Sequence, residues 1–398
     1  MIEPAHSPRT PILPPGPYLH IDYPAGGLIT RPATTVYGWI AVDGAGSLDQ
    51  LSLINGRGTS IPLELHPRPD VEEASPGKTA IGFNGWIDIR SAVNGPWRLR
   101  YKFRRKVYEI KSTLVADPAE AKIFEIVKAR KLQRLRELIR CPFCRTVLAD
   151  DGDQLRCASG HAFAVQPDFF DMLDDETRAR VGAVTTENIS GHGYDPTLIE
   201  LIMQSPGPIL DVGAGNRPTY REDVINVEIV PYPTTDVIGA SEYLPFADDT
   251  FDLVISVAVL EHVRDPFAAA RELQRVLKPG GRIFAAVPFL QPYHAYPDHF
   301  YNMTAGGLRN LFTDLEIELL EVPQSGGPVF ALTWILQAWR KALSPATAAA
   351  FDKMRVADLA IDPMLLIDQP FVSELSRETN EQLASLNVLV GRKPRTPA

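Results

Sequence analysis

The sequence predicts a multi-domain protein in three parts: an N-terminal all-β sandwich, a small metal-clipped ribbon and a C-terminal α/β Rossmann-like domain. Three observations carry this reading: short alternating apolar runs between Thr35 and Leu114, three cysteines and a histidine gathered into residues 141–161, and a short apolar strand that ends in Gly213-Ala214-Gly215. At 398 residues the chain exceeds one ordinary core, since a domain usually holds about 100–200 residues. Hydrophobic residues make up 45% and charged residues 22%, a globular balance that excludes collagen-like and disordered classes.

Residues 1–34 are Pro-rich and lack periodicity, which suits a tail or an extended edge segment. They contain no continuous apolar run, so a secretory signal is not expected. Residues 35–115 read as the β-sandwich: Val36–Ile40, Leu51–Leu53, Ile61–Leu65 and Trp86–Ile89 are short runs parted by Gly, Asn, Asp and Pro turns. Trp97–Arg104 alternates strictly, which puts its basic residues on one face and its apolar residues in the core.

Residues 116–140 read as a basic linker helix. Asp117 stands at the N-cap position, Pro118 at the first helical position, and Glu120 at the capping-box spacing. From Trp97 to Arg140 there are 14 Lys and Arg against 5 Asp and Glu, so with −9 overall the rest of the chain carries −18. This stretch is expected to track phosphates, to present a solvated face, or to dock on the acidic remainder.

Within 141–173, Cys141, Cys144, Cys157 and His161 give the spacing C-x2-C-x12-C-x3-H, four ligands suited to tetrahedral zinc. With every position filled by protein, such a zinc is structural, and it supplies folding free energy to a segment too small for a core. Three cysteines, an odd number, argue against a disulfide framework and for a reducing, cytoplasmic compartment. The segment resembles the small zinc ribbon fused to bacterial rRNA guanine methyltransferases. Residues 174–195 read as a linker.

The third part spans 196–394. Pro208–Val212 is an apolar strand, and the glycines at its carboxyl end let a nucleotide-like cofactor approach the backbone closely. A lone G-x-G is weak, but it is followed by Val227-Glu228, Leu244-Pro245-Phe246-Ala247-Asp248-Asp249-Thr250-Phe251-Asp252, Leu260-Glu261-His262 and Leu277-Lys278-Pro279-Gly280-Gly281. In that order these resemble the class I S-adenosylmethionine-dependent methyltransferases of the type 11 group, up to Asn387–Val390 as the last strand of a seven-stranded sheet. The resemblance implies Asp211, Gly213 and Gly215 against the methionine part of the cofactor and Glu228 on the ribose hydroxyls. Gly239-Ala240-Ser241 departs from the family's Gly-Asp-Ala, so the adenine contact passes to Ser241, Glu242 or backbone. A nicotinamide dehydrogenase shares the ribose carboxylate but not the Leu-Pro-Phe and Leu-Lys-Pro-Gly-Gly blocks.

A hydroxyl acceptor benefits from a general base. His294 and His299 are the candidates, with Asp298 placed to orient one of them; the pair Glu261-His262 is a third possibility that the family resemblance assigns to the cofactor pocket. Val329–Trp339 is apolar but falls short of the roughly 20 residues that cross a bilayer. It reads as a buried core helix, with a lid or membrane-surface contact as alternatives. The expected function is O-methylation of a sugar, glycan precursor or other small molecule. An RNA methyltransferase and a non-catalytic binding module are the other readings.

Overall fold

The computed structural model describes residues 16–93, 95–152, 154–184, 193–294 and 298–385. The chain divides into two compact units, residues 1–257 with 272–285, and residues 258–271 with 286–398.

In the first unit, two four-stranded sheets share one core. One sheet runs Tyr18–Tyr23, Ala33–Asp43, Lys78–Asp88, Glu64–Pro67; the other runs Ser60–Pro62, Leu48–Ile54, Arg98–Phe103, Lys106–Lys111. Val36, Ile40, Phe83 and Ile87 of the first meet Leu51, Leu53, Leu99 and Phe103 of the second. Along Arg98–Phe103, Leu99, Tyr101 and Phe103 are buried while Arg98 and Arg100 stay exposed, as strict alternation requires. The Pro-rich start is more ordered than its composition suggests: Tyr18–Tyr23 pairs antiparallel with residues 37–41, and Ile29 is fully buried.

Helix Pro118–Leu138 begins where Asp117 accepts from the Ala119 and Glu120 N–H groups. Its basic residues are not all solvated. Lys128 donates to the Pro233 and Thr235 carbonyls at 2.9 and 2.7 Å, and Lys131 donates to Asp236 Oδ2 at 2.7 Å and to the Val224 carbonyl at 2.5 Å. Asp236 also accepts from the Asn226 N–H and the Tyr220 hydroxyl. Two lysines of the basic stretch thus serve to fix the helix against the Rossmann strands.

The ribbon strands Leu148–Asp150, Gln154–Cys157 and Ala162–Val165 form an antiparallel meander. Phe170–Asp171 then pairs antiparallel with Ala162–Val165 on one side and parallel with Val237–Ile238 on the other, joining ribbon and Rossmann strands in one nine-stranded sheet. Past that junction the order is Val237–Ile238, Val224–Glu228, Ile209–Val212, Phe251–Val257, Leu277–Ala286. Numbered along the chain this is 3-2-1-4-5, the doubly wound order with its switch point beside the first strand. Helix Pro196–Gln204 covers one face, packing Leu198 and Ile202 on Ile209, Val224, Leu253 and Ile255.

The Leu-Pro-Phe and Leu-Lys-Pro-Gly-Gly blocks act as structural clamps. Phe246 is fully buried edge-on against Phe251, and Arg275 donates to the Leu244 and Phe246 carbonyls. Lys278 pairs with Asp252, and a Cβ on Gly281 would meet Leu277 Cδ1 at 2.8 Å and the Asp252 carbonyl oxygen at 3.0 Å.

The second unit is helical among its described residues. Leu343, Ala348, Phe351 and Phe371 form a small core, and Trp339 Nε1 donates to the Phe371 carbonyl. Helix Pro328–Lys341 starts at Gly327 but buries none of its residues, with Val329 and Leu332 more than half exposed, which corrects the expectation of a core helix over Val329–Trp339. Among the described residues no strand follows Ala286, and the expected last strand Asn387–Val390 lies outside them. No described helix is long and apolar enough to cross a membrane.

Candidate functional site

The first strand delivers Gly213 and Gly215 at its carboxyl end, both with φ in the left-handed region, 69° and 62°, where a Cβ is strained. The loop is stitched to the second strand. The N–H groups of Gly213 and Ala214 donate to the Val227 carbonyl, and that of Gly215 donates to Glu228 Oε1 at 2.8 Å. Ile229 N–H donates to Glu228 Oε2, also at 2.8 Å. Each carboxylate oxygen keeps a lone pair for a ribose diol. Burial pushes the Glu228 carboxyl above the usual range, and these two N–H donors pull it back only in part.

Gly239 N–H donates to the Glu228 carbonyl, which sets the turn leading to Ser241 and Glu242 next to the strand that carries Glu228. Ser241 is buried and donates to Glu242 Oε2 at 3.1 Å. Asp211 is already engaged by the protein. It is fully buried and accepts from Arg217 at both oxygens, 2.9 and 3.1 Å, and from the Tyr194 hydroxyl at 2.8 Å. Three of about four acceptor sites on that carboxylate are taken by the protein itself, so its first task is to pin the glycine loop. A side-chain nitrogen at the loop, Asn216 Nδ2, is buried and lacks a partner among the described residues. A left-handed glycine loop, a diol-ready carboxylate and an unsatisfied donor together match the needs of an adenosyl cofactor.

The ribbon gathers Cys141, Cys144, Cys157 and His161 so that one ligand atom of each lies within 4.8 Å of the others. His161 Nδ1 lies 3.4 Å from Cys141 Sγ and 3.3 Å from Cys157 Sγ. The Thr146 hydroxyl and N–H hold the Cys144 thiol down to about 5, while burial pushes the Cys141 thiol up to about 11. The donor set and spacing suit a closed tetrahedral zinc site.

In the second unit, Glu261, His262, His294 and His299 come together. Their hydrogen bonds assign the neutral tautomers, because a carbonyl oxygen only accepts. His262 Nδ1 donates to the Asp298 carbonyl at 2.6 Å and His294 Nδ1 to the Pro292 carbonyl at 3.0 Å, so each leaves its Nε2 lone pair open. His299 uses both nitrogens: Nε2 donates toward the Tyr301 carbonyl and Asn302 Oδ1, and Nδ1 accepts from the His294 N–H. His299 therefore positions His294 and lacks a base's lone pair. The expectation that Asp298 orients His294 or His299 is corrected: its backbone carbonyl accepts from His262, and its carboxylate lies 3.5 Å from Arg264. Burial pulls both His262 and His299 below the usual imidazole range. Glu261 is fully buried, and burial pushes its carboxyl up to about 8.

Sequence reasoning missed Tyr194 and Arg217. Arg217 carried a signal, a lone charge just beyond a glycine loop; Tyr194, 17 residues from Asp211, carried none.

Comparison with known proteins places residues 210–285 in a methyltransferase domain family. The chain is 47% identical to the uncharacterized YafE protein of Escherichia coli over 60 residues, covering 15% of this chain and 28% of that protein. It is 27% identical over 173 residues to the ubiquinone/menaquinone biosynthesis C-methyltransferase of Haemophilus ducreyi, covering 40% and 66%. The chain thus spans less than two thirds of the length of these relatives. Among solved structures, the YcgJ protein of Bacillus subtilis aligns at 21% identity with a TM-score of 0.24, covering 29% of this chain and 65% of that one. Phosphoethanolamine N-methyltransferase 2 of Haemonchus contortus aligns at 15% and 0.27, covering 46% and 48%. Structural likenesses at these scores carry no functional weight.

Proposed function

We propose that the chain is an S-adenosylmethionine-dependent methyltransferase that methylates a hydroxyl of a sugar, glycan precursor or other small molecule. One observation carries the reading: within the matched domain, the Gly213–Gly215 loop is latched to a diol-ready Glu228 at the switch point of a 3-2-1-4-5 sheet. The cofactor supplies a sulfonium methyl group. Asp211, Gly213 and Gly215 hold its methionine part, Glu228 accepts from the ribose hydroxyls, and Ser241 and Glu242 flank the adenine. His294, with His262, offers imidazole nitrogens able to take the proton of a hydroxyl acceptor, while His299 and the Asp298 carbonyl fix their orientations.

A structural zinc at Cys141, Cys144, Cys157 and His161 belongs to the same proposal, and thiolate ligation goes with a cytoplasmic location. An RNA acceptor draws less support, because Lys128 and Lys131 are buried and Arg98 and Arg100 both pair with Glu109. The test is an acceptor screen with radiolabelled cofactor, run at low and physiological salt. Label transfer to glycans that is insensitive to salt supports the proposal; transfer to RNA that collapses as salt rises replaces the acceptor class.

A further inference from the structure

We infer that Glu261, His262 and His294 form a second metal site, one that binds a divalent transition ion with nitrogen and oxygen ligands and keeps a coordination position open. One ligand atom from each of the three lies within 4.8 Å of the others. Glu261 Oε1 is 3.8 Å from His262 Nε2, and the His262 and His294 rings stand edge to face with centroids 5.1 Å apart.

Three independent features point to a cation. First, both oxygens of Glu261 are buried and have no hydrogen-bond partner among the described residues, although its side chain is fully enclosed. A carboxylate in that state forfeits its hydration without replacement, a cost that a directly bound cation removes. Second, each imidazole donates its Nδ1–H to a backbone carbonyl and leaves Nε2 free, the outer-shell arrangement that orients metal-ligating histidines. Third, the scaffold is fixed around the ligands: the Glu261 carbonyl accepts from the N–H groups of Phe300 and Tyr301, Tyr301 Oη donates to the Arg264 carbonyl, and His299 holds the His294 N–H.

The ligand chemistry separates this site from the ribbon. Four protein ligands close the ribbon, whereas two imidazoles and one carboxylate leave room for water or an oxygen of a substrate. Its role rests on the hydroxyl-acceptor reading: with the Nε2 lone pairs of His262 and His294 committed to the ion, those imidazoles would no longer take the proton, and the ion would instead polarise a bound hydroxyl and ease loss of its proton to solvent as the oxygen–methyl bond forms and the sulfur–methyl bond breaks. Binding of the ion does not depend on that reading.

The experiment is a titration of the full-length protein, loaded with a single equivalent of zinc for the ribbon, with cobalt(II), followed by absorption and by isothermal titration. One equivalent is expected, with visible ligand-field bands and without the near-ultraviolet sulfur charge transfer that exchange into the ribbon would give. Glu261→Gln and His294→Ala are each expected to weaken cobalt binding by about a hundredfold, the upper end of what metal sites lose with supporting groups. Near-UV circular dichroism and urea unfolding report that the variants are folded, and S-adenosylhomocysteine binding is measured on the wild type in parallel. No cobalt bound by the wild type, bands of sulfur ligation only, or equal affinity in folded Glu261→Gln overturns the inference. Loss of cobalt with cofactor binding intact leaves the methyltransferase reading standing; cobalt binding without cofactor binding does the reverse.

Discussion

Arg217 grips the carboxylate of Asp211 at both oxygens, with Nε to Oδ2 at 2.9 Å and Nη2 to Oδ1 at 3.1 Å, and both side chains are buried. The pair straddles Gly213 and Gly215, so it holds the two ends of the glycine loop together six residues apart. Removing Arg217 strands a buried carboxylate whose remaining hydrogen bond among the described residues comes from the Tyr194 hydroxyl. Arg217→Met should therefore cost about 3–5 kcal/mol in urea unfolding, the range for breaking one side of a buried pair. A loss below about 1 kcal/mol, the range of an exposed pair, would show that the two charges are solvated.

Lys131 and Asp236 make a similar contact between the basic helix and the Rossmann strands. Lys131→Met leaves Asp236 with the Tyr220 hydroxyl, the Asn226 N–H and the Lys128 ammonium at 3.9 Å, and should cost about 3 kcal/mol in urea unfolding, the lower end for a buried pair because a second cation remains. Exposed Lys122, paired with Glu125 on the same helix, is the control: Lys122→Met should change stability by less than about 1 kcal/mol. Equal effects at the two positions would contradict the docking role given to Lys131.

Glu228 gives a pH signature. Its carboxyl titrates above the usual range because it is buried, and only the ionised form accepts from both ribose hydroxyls while holding the Gly215 and Ile229 N–H groups. Affinity for S-adenosylhomocysteine should rise with pH through that raised pKa and level off above it. Glu228→Ala should flatten the profile. A wild-type profile that is already flat from acid to neutral pH would contradict the assignment.

The ribbon and the Rossmann strands share one sheet through Phe170–Asp171 and Val237–Ile238. Metal loss at Cys141, Cys144, Cys157 and His161 should therefore reach the cofactor loop. Chelation, or Cys157→Ser, is expected to lower Tm and to weaken S-adenosylhomocysteine binding together. A chelated protein with unchanged Tm would argue against a metal in the ribbon.

His294 and His299 should separate kinetically once an acceptor is known. His294→Ala removes an open nitrogen and should lower kcat by about a hundredfold or more, within the range for a proton-transferring group. His299→Asn, which can still meet the His294 N–H through its amide oxygen, should retain most of kcat. The opposite ranking would make His299 the proton acceptor.

Much of the architecture was legible in the sequence because it rests on local pattern. Alternation placed Leu99, Tyr101 and Phe103 inside, Asp117 capped its helix, and the Cys–His spacing gathered four ligands. Contacts between distant residues were not legible. Nothing in the run around Lys131 says that its ammonium meets Asp236, and nothing near Tyr194 says that its hydroxyl meets Asp211. The histidine loop shows the same limit: sequence named His294, His299 and Asp298, but only geometry shows which nitrogens are already engaged. Helix Pro328–Lys341 misled for a different reason, since an apolar run reads as core even where the fold leaves Val329 and Leu332 exposed and covers Leu336 and Trp339 only in part.

The methyltransferase reading stands on an adenosyl cofactor held by the loop at Gly213–Gly215 and the carboxylate of Glu228. The decisive measurement is isothermal titration of the metal-replete protein with S-adenosylhomocysteine, with Glu228→Ala as the variant because Asp211→Ala would also disturb folding. One site of micromolar affinity is expected, weakened by about ten- to a hundredfold in Glu228→Ala, as fits the loss of hydrogen bonds to a charged group. No heat of binding in the wild type, or equal affinity in a folded Glu228→Ala, would refute the cofactor site.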